Sequence, residues 1–547
     1  MTTLRTHVLF WLMVLTFALP DYAQDSWVSL RGSVGASSDY FSNSSPSFPA
    51  IEPIHRASLN LTLNLFDQVQ LPFNAYITNR GGAGYSQPFS QFGISPRFGS
   101  WLQLHAGYFN KQHSELTLGD VRLLGGGADV TLGNLQFSAV YGYSLLARSA
   151  DSAQNFAGTY ARRIIAGQFG YTKEGTKAHL SIMHAEDDES SITRSSATPA
   201  PHRNLVGSFS FSSNLIDKLL QLNAEGGISM FTANQRAVLM DSANRIGLLE
   251  SMVGYNSSTS VDASFRVGTT VTVTDEFSLQ GNLRWVGPGF ISLGYIQMLN
   301  DMFDMTVSPS LRLFESRVNI SGSIGTRSNN VRNTKENTIT QLIGSANVSV
   351  AVTNNVNINA SYSNFGMRSS VLNDTLRLSN LSQFLSLSPV VNFAALGGMN
   401  AVTASVMYQV SEDRNQFTAA SVNANNTTYS AMHSINFPST LSLTTMLMHN
   451  NARNGAIPQP ISVTNINETV GYSLFDNALA LNASAGVNLI STVTKTTQFF
   501  ARLQASYSAG SYGNFTVMLL HNNYSYTAAG ALATNDMQGS MQYGISF

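Results

Sequence analysis

The stretch Val261-Asp262-Ala263-Ser264-Phe265-Arg266-Val267-Gly268-Thr269-Thr270-Val271-Thr272-Val273, then Thr274-Asp275-Glu276, then Phe277-Ser278-Leu279-Gln280-Gly281-Asn282-Leu283-Arg284-Trp285, decides the fold. Val261, Ala263, Phe265, Val267, Thr269, Val271 and Val273 recur at every second position. After the polar break, Phe277, Leu279, Leu283 and Trp285 do the same, opposite Ser278, Gln280, Asn282 and Arg284. A period of two is that of an extended strand, whose successive side chains point to opposite faces. A short polar break between two such runs reads as a hairpin. Each arm is about nine to twelve residues, enough for a tilted strand to cross hydrocarbon and longer than the strands typical of soluble sheets.

The same alternation spreads outward in both directions, as in Leu59, Leu61, Leu63 and Leu65 against Asn60, Thr62 and Asn64. Further short breaks fall at Asp67-Gln68, Gly99-Ser100, Gly133-Asn134, Lys173-Glu174-Gly175, Asn214 to Asp217 and Glu315-Ser316. They continue at Thr353-Asn354-Asn355, Gly397-Gly398, Pro438-Ser439, Asp476-Asn477 and around Ser511 to Gly513. Longer Ser/Asn-rich segments lie between them, at 37–56, 187–203, 232–257, 327–339, 412–426 and 451–465. Tight turns at one rim and long loops at the other are the pattern of a membrane barrel. The break at Gly99-Ser100 separates strands at 90–98 and 101–109, and strands at 26–36 and 537–547 complete the set. The expected fold is therefore all-β: a transmembrane antiparallel β-barrel of about 26 strands (roughly 24–26), with short periplasmic turns and long extracellular loops. Pro72, Pro96 and Pro309 fall inside strands and should mark bulges or strand ends. The region 213–231 is expected to open as a short helix, and 243–256 to hold an additional hairpin or a loop helix.

Composition agrees with this reading. Charged residues make up 11% of 547 while hydrophobic residues make up 43%, as expected where one face of every strand meets lipid and excludes charge. A net charge of −1 gives no basis for a nucleic-acid partner. The absence of cysteine excludes thiol catalysis, thiolate metal sites and a lipid anchored through cysteine. At the N-terminus, Arg5 and His7 precede an apolar run at 8–19, followed by Pro20 and a small-residue site at Ala23-Gln24. This reads as a cleaved secretory signal over 1–24, since the run is shorter than the ~20 residues of a spanning helix. One outer-membrane barrel is then expected over 25–547, starting too close to the cleavage site to leave room for a plug domain.

The C-terminal segment alternates to a terminal aromatic. Tyr543, Ile545 and Phe547 resemble the signal by which bacterial barrel-assembly machinery recognises its clients. Tyr108, Phe109, Trp285, Phe314 and Tyr408 are expected in interfacial girdles. The stretches 91–96 leading into 101–108, then 124–132, 287–294 and 361–365, resemble large outer-membrane barrels of the Bacteroidota to which no activity is attached. The resemblance implies a barrel and an outer-membrane location and carries over no functional residue. Asp-Ser-Ala at 151–153 and 241–243, and Asp-Thr-Leu at 374–376, resemble the O-glycosylation pattern of those bacteria.

No nucleophile elbow, His-Glu-x-x-His motif or phosphate-binding loop is present, so no enzyme, cofactor or metal is expected. A strand-borne hydrolase would escape such motifs. His105, His179, His184 and His433 are its candidates, with the ordinary reading of lumen or interface residues. The run Glu186-Asp187-Asp188-Glu189 offers oxygens to a divalent cation but reads first as a solvated loop face. Gly125-Gly126-Gly127 reads as close strand packing or a bend. The wall facing the lumen is expected to carry Gln103, Gln280, Asn282, Arg284, Ser308, Ser310, Arg312, Asn319 and Ser321, wetted but without strong charge selectivity.

These features point to a transport or translocation conduit, porin-like or partner-gated and narrowed by its own loops or a partner, because barrels this wide are commonly plugged. The alternative is a non-conducting platform for surface or periplasmic partners. A secreted solenoid is disfavoured by the lack of a fixed repeat. Expected partners are outer-membrane lipid, the assembly machinery, and a plug or surface protein.

Overall fold

The computed structural model describes residues 27–45, 52–79, 91–151, 156–194, 198–216, 219–239, 254–295, 298–371, 377–457, 459–526 and 533–547. The signal segment, the Ala23-Gln24 site, most of 243–256 and all but Asp151 of the glycosylation triplets lie outside them.

From Val28–Asn43 to Thr534–Ser546, every strand pairs antiparallel with its neighbours in sequence, and the last returns to the first. At this seam Val34 pairs with Ile545 and Ala36 with Tyr543. Gly32 and Phe547 exchange backbone hydrogen bonds of 2.7 and 3.0 Å. The result is a closed barrel of 26 strands, which leaves no sheet edge unpaired.

One strand is built in two pieces, Gln91–Ile94 and Arg97–Phe98. Pro96 interrupts it, and Pro72 on the adjacent strand faces the same gap, where Ser95 N donates to Pro72 O at 3.0 Å. Two missing donors thus share one interruption, and the register is the same on either side. Pro309 behaves differently from expectation, marking neither a bulge nor a strand end. The ladder of Met302–Leu313 to Val318–Ser328 passes from Val307↔Ile324 to Ser310↔Ser321 without a shift. Unpaired rungs cost less here than displacing a register that keeps apolar side chains outward.

Short turns fall where polar breaks occur, and several take the left-handed conformation that matches strand twist. The φ angles are 53° and 54° at Phe66-Asp67, 47° and 82° at Glu174-Gly175, and 57° and 76° at Leu396-Gly397. Apart from the interrupted strand, the strands run from the 10 residues of Val69–Thr78 to the 17 of Ser379–Ala395. Most are longer than the sequence pattern implied, because pairing continues into segments too polar to alternate. The 213–231 region holds no helix among its described residues. Arg203–Ile216 continues as strand through a bulge between Asn214 and Ile216, and Leu220–Thr232 returns.

Large apolar side chains crowd one face of the sheet. Ile228 is 60% exposed, Leu180 58% and Phe209 53%, an arrangement that water would oppose and lipid favours. Among the described residues, a cluster of buried hydrophobic side chains lies on the opposite face.

Candidate functional site

Contacts across the barrel identify its inner face. Ser114, in the 113–118 loop, donates to Glu225, five strands away around the wall from the hairpin that carries the loop. Glu115 in the same loop pairs with Arg266, one strand further. Only a loop folded into the interior reaches both. Glu225 and Arg266 therefore mark the inner face, and paired residues in an antiparallel ladder share a face.

Two loops form a lobe against this wall. The 113–118 loop closes on itself through His113 N and Ser114 N, both donating to Leu118 O at 2.8 and 3.2 Å. The 287–301 loop, between Phe277–Val286 and Met302–Leu313, lies over it. Ser292 Oγ donates to Thr117 O at 2.5 Å, and Gly119 N to Gly294 O at 3.0 Å. Gly294 is needed for this approach, since a Cβ there would stand 2.4 Å from Met183 Sδ and 2.6 Å from Thr117 O. Asn204, fully buried, pins the outer loop to the wall. Its Nδ2 donates to Ile291 O at 3.0 Å, and its Oδ1 accepts from Leu293 N at 2.9 Å. Asp262 accepts from Gly289 N at 2.8 Å. Beneath these polar ties, Leu116, Leu118, Phe290 and Leu293 pack on Ile164, Met183, Val206 and Phe231. Apolar residues in the inward phase of these strands are thus covered by the chain's own loops. His113, outside the strands, bonds Ser138 Oγ through Nε2 at 2.8 Å. Burial and the Lys111 charge lower its pKa to about 4, against a smaller opposing effect of Asp129.

Below the lobe the wall carries a row of charge. Glu225, Arg266, Arg284, Asp304 and Arg327 are successive partners across five strands. Arg266 and Arg284 stand directly opposite each other, a repulsive pairing by itself. It is relieved by Glu225 at 2.7 Å from Arg266, by Glu115, and by Asp304 at 3.7 Å from Arg284. A cavity of about 510 Å³ opens here, lined by Lys177, His179, Glu225, Arg266, Arg284 and Asp304 among others.

Of the residues assigned to the lumen from sequence, Gln280, Asn282 and Arg284 meet at this cavity. Ser308 pairs with Gln280, and Ser310 with Ser278 and Ser321. Arg312 and Asn319 pair with each other and bond turn carbonyls, Arg312 to Asp275 O and Asn319 to Ser316 O, both at 2.8 Å. Gln103 lies apart, paired with Asp129 and accepting from Arg97 at 3.2 Å. The sequence reading missed Glu115, Glu225, Arg266 and Asp304, which hold the charge row.

Other candidates divide. Phe109 belongs to the inner core and to no girdle, because it alternates in phase with the inward His105 on a ladder that is unshifted between the two. Trp285 stacks on Phe265 at 5.7 Å, and Tyr408 and Phe314 are exposed. The acidic run is exposed at Asp188, which accepts from Ser190 N and Oγ at 2.9 and 2.7 Å, while arginines hold its other three carboxylates. Arg162 holds Asp187 at 2.7 Å, Arg163 and Arg203 hold Glu186, and Arg194 and Arg236 hold Glu189 at 2.6 and 2.9 Å. Gly125-Gly126-Gly127 lies inside the strand Gly119–Leu132. His433 bonds Asn400 at 2.9 Å, and His105 stands between Ser95 and Asp129.

No protein-family model and no curated protein matches the chain. Among solved structures it is similar to a variant of the ferric enterobactin receptor PfeA of Pseudomonas aeruginosa, at 11% identity over 95% of this chain and 80% of that one, with a TM-score of 0.45. It is also similar to the translocation pore of the P pilus usher PapC, at 11% identity, 95% and 99% coverage and a TM-score of 0.36. The iron transporter FrpB of Neisseria meningitidis follows at 12% identity, 94% and 81% coverage and a TM-score of 0.35. The likeness reaches no further than the barrel.

Proposed function

We propose that this chain is an outer-membrane conduit, narrowed on one side by its own 113–118 and 287–301 loops. One observation carries the reading: a closed barrel whose outer face is apolar holds two loops folded inward against its wall, beside a polar, water-accessible cavity. In this reading Gln103, Gln280, Asn282, Arg284, Ser308, Ser310, Arg312, Asn319 and Ser321 are wall residues of the water path. Ion pairs of both signs line it, which favours wetting over selection by net charge. The terminal Tyr543, Ile545 and Phe547 serve as the assembly signal, and the segment 1–24 as the export signal. A bacteroidal origin rests on the resemblance of the quoted stretches.

The test is conductance of the purified, folded barrel in a planar bilayer. Large, steady steps support the conduit. Silence from barrels that remain folded, judged by heat-modifiable migration, overturns it and favours a platform whose loops hold partners.

A further inference from the structure

One group of inward side chains serves neither the lobe nor the cavity. Ser95 lies in the break between Gln91–Ile94 and Arg97–Phe98, and the register on both sides of the break sets it across from His105. Ser95 Oγ is 2.9 Å from His105 Nδ1, and His105 Nε2 is 2.9 Å from Asp129 Oδ2. Asp129 also accepts from Lys111 Nζ at 2.5 and 2.6 Å, so it is ionised and can only accept. The imidazole then donates from Nε2 and keeps its lone pair on Nδ1, toward which the Ser95 hydroxyl donates. The ring is held in plane as well. Gly107, at φ 82°, bends the strand so that His105 stacks on Phe109 at 5.1 Å with 18° between planes. The His105 side chain is 8% exposed, whereas Ser95 is partly open to the interior. A structural serine–histidine contact needs no orienting carboxylate on the second ring nitrogen, whereas a nucleophile with a positioned base uses one.

We propose that Ser95, His105 and Asp129 form a serine-hydrolase centre on the inner wall, acting on carboxylic esters that enter the lumen. Ser95 Oγ bonds to the ester carbonyl carbon as its proton passes to His105 Nδ1. The tetrahedral intermediate collapses, the ester C–O bond breaks, and the same proton leaves on the alcohol. Water then attacks the acyl-Ser95 with His105 as base, which releases the carboxylic acid and restores the hydroxyl. One ester and one water give one acid and one alcohol, with no other reactant. Arg97, two residues along on the same face of the strand, is the cation placed for the developing oxyanion. Lys111 draws part of the Asp129 charge away from the imidazolium, so esters with good leaving groups react in preference to amides.

The test uses the full mature barrel, folded in detergent, and does not depend on conduction. A fluorophosphonate probe is expected to leave one adduct, mapped to Ser95 by peptide mass, and p-nitrophenyl butyrate to be hydrolysed. Ser95→Ala and His105→Gln should abolish both. Asp129 acts as a positioning residue, so Asp129→Asn should lower kcat at least about 100-fold and move the pH midpoint of the rate downward, with heat-modifiable migration kept. If Asp129→Asn fails to fold, Ser95→Cys replaces it. Iodoacetamide should alkylate that thiol at least tenfold faster than in Ser95→Cys/His105→Gln. Absence of a Ser95 adduct, a hydrolysis rate unchanged by Ser95→Ala, or equal alkylation of the two cysteine variants overturns the proposal. Hydrolysis by a barrel that never conducts supports the centre while overturning the conduit.

Discussion

Three short turns carry a phenylalanine in a backbone conformation that suits it poorly. Phe66, Phe314 and Phe475 have φ of 53°, 54° and 53°, and each is well exposed. Bulky side chains avoid this region, and asparagine tolerates it. Phe66 has a partner in Trp27, edge-on at 5.8 Å. Phe314→Asn and Phe475→Asn should each stabilise the detergent-folded barrel by about 0.5–1 kcal/mol, read as a higher midpoint of heat-modifiable migration. A lower midpoint in lipid vesicles with a higher one in detergent would show that these rings anchor in the interface. Residues of this kind explain what sequence could not disclose. Arg266 reads simply as a polar-phase residue of its strand, and Glu115 as a loop residue. Their pairing depends on a register and a loop path set by strands far apart in the chain. Ser95 and His105 were likewise visible as residue types, while their facing one another follows from the register of the hairpin that turns at Gly99-Ser100.

At the level of elements, the hairpin rhythm was almost wholly legible, because lipid on one face and water on the other impose a period of two wherever a strand crosses. Legibility ended where that constraint ended. Strand extensions beyond the membrane have no need to alternate, and the 287–301 loop gives no periodic sign that it turns inward. Its attachment is nonetheless specific. Asn204→Ala removes the side-chain bonds to Ile291 O and Leu293 N in a fully buried setting, a loss of about 1–3 kcal/mol. The barrel should survive while the loop detaches, seen as noisier single-channel current and faster amide exchange at 291–293. Acid should loosen the companion loop. The folded pKa of His113, about 4, lies below its ordinary value near 6.5, so the folded loop resists protonation. Its contribution is intact above pH 6.5 and declines as pH falls toward 4. Current noise should therefore rise across that window, and His113→Gln should remove that part of the rise.

For the whole molecule, width decides how much the lobe matters. Twenty-six strands about 4.8 Å apart and tilted by roughly 40° close into a ring about 50 Å across if circular. Side chains leave roughly 40 Å of that open, or about 1,250 Å² in section. The lobe reaches across about seven strand spacings of about 6.3 Å after tilt and stands about 10 Å off the wall, which fills about 440 Å². On the other side, the wall is tied by neutral carboxamides: Asn465 to Asn488 at 2.6 Å, Asn488 to Gln498 at 3.0 Å and Gln498 to Asn522 at 3.1 Å. Those side chains satisfy one another and hold no inward loop among the described residues. Replacing 287–301 with a short Gly-Ser connection should therefore raise single-channel conductance by less than twofold and leave heat-modifiable migration in place. A silent wild-type barrel that conducts once the loop is replaced would mean that this loop closes the whole lumen. The interior would then be far narrower than its strand number implies, through flattening of the ring or through other loops packed against this one.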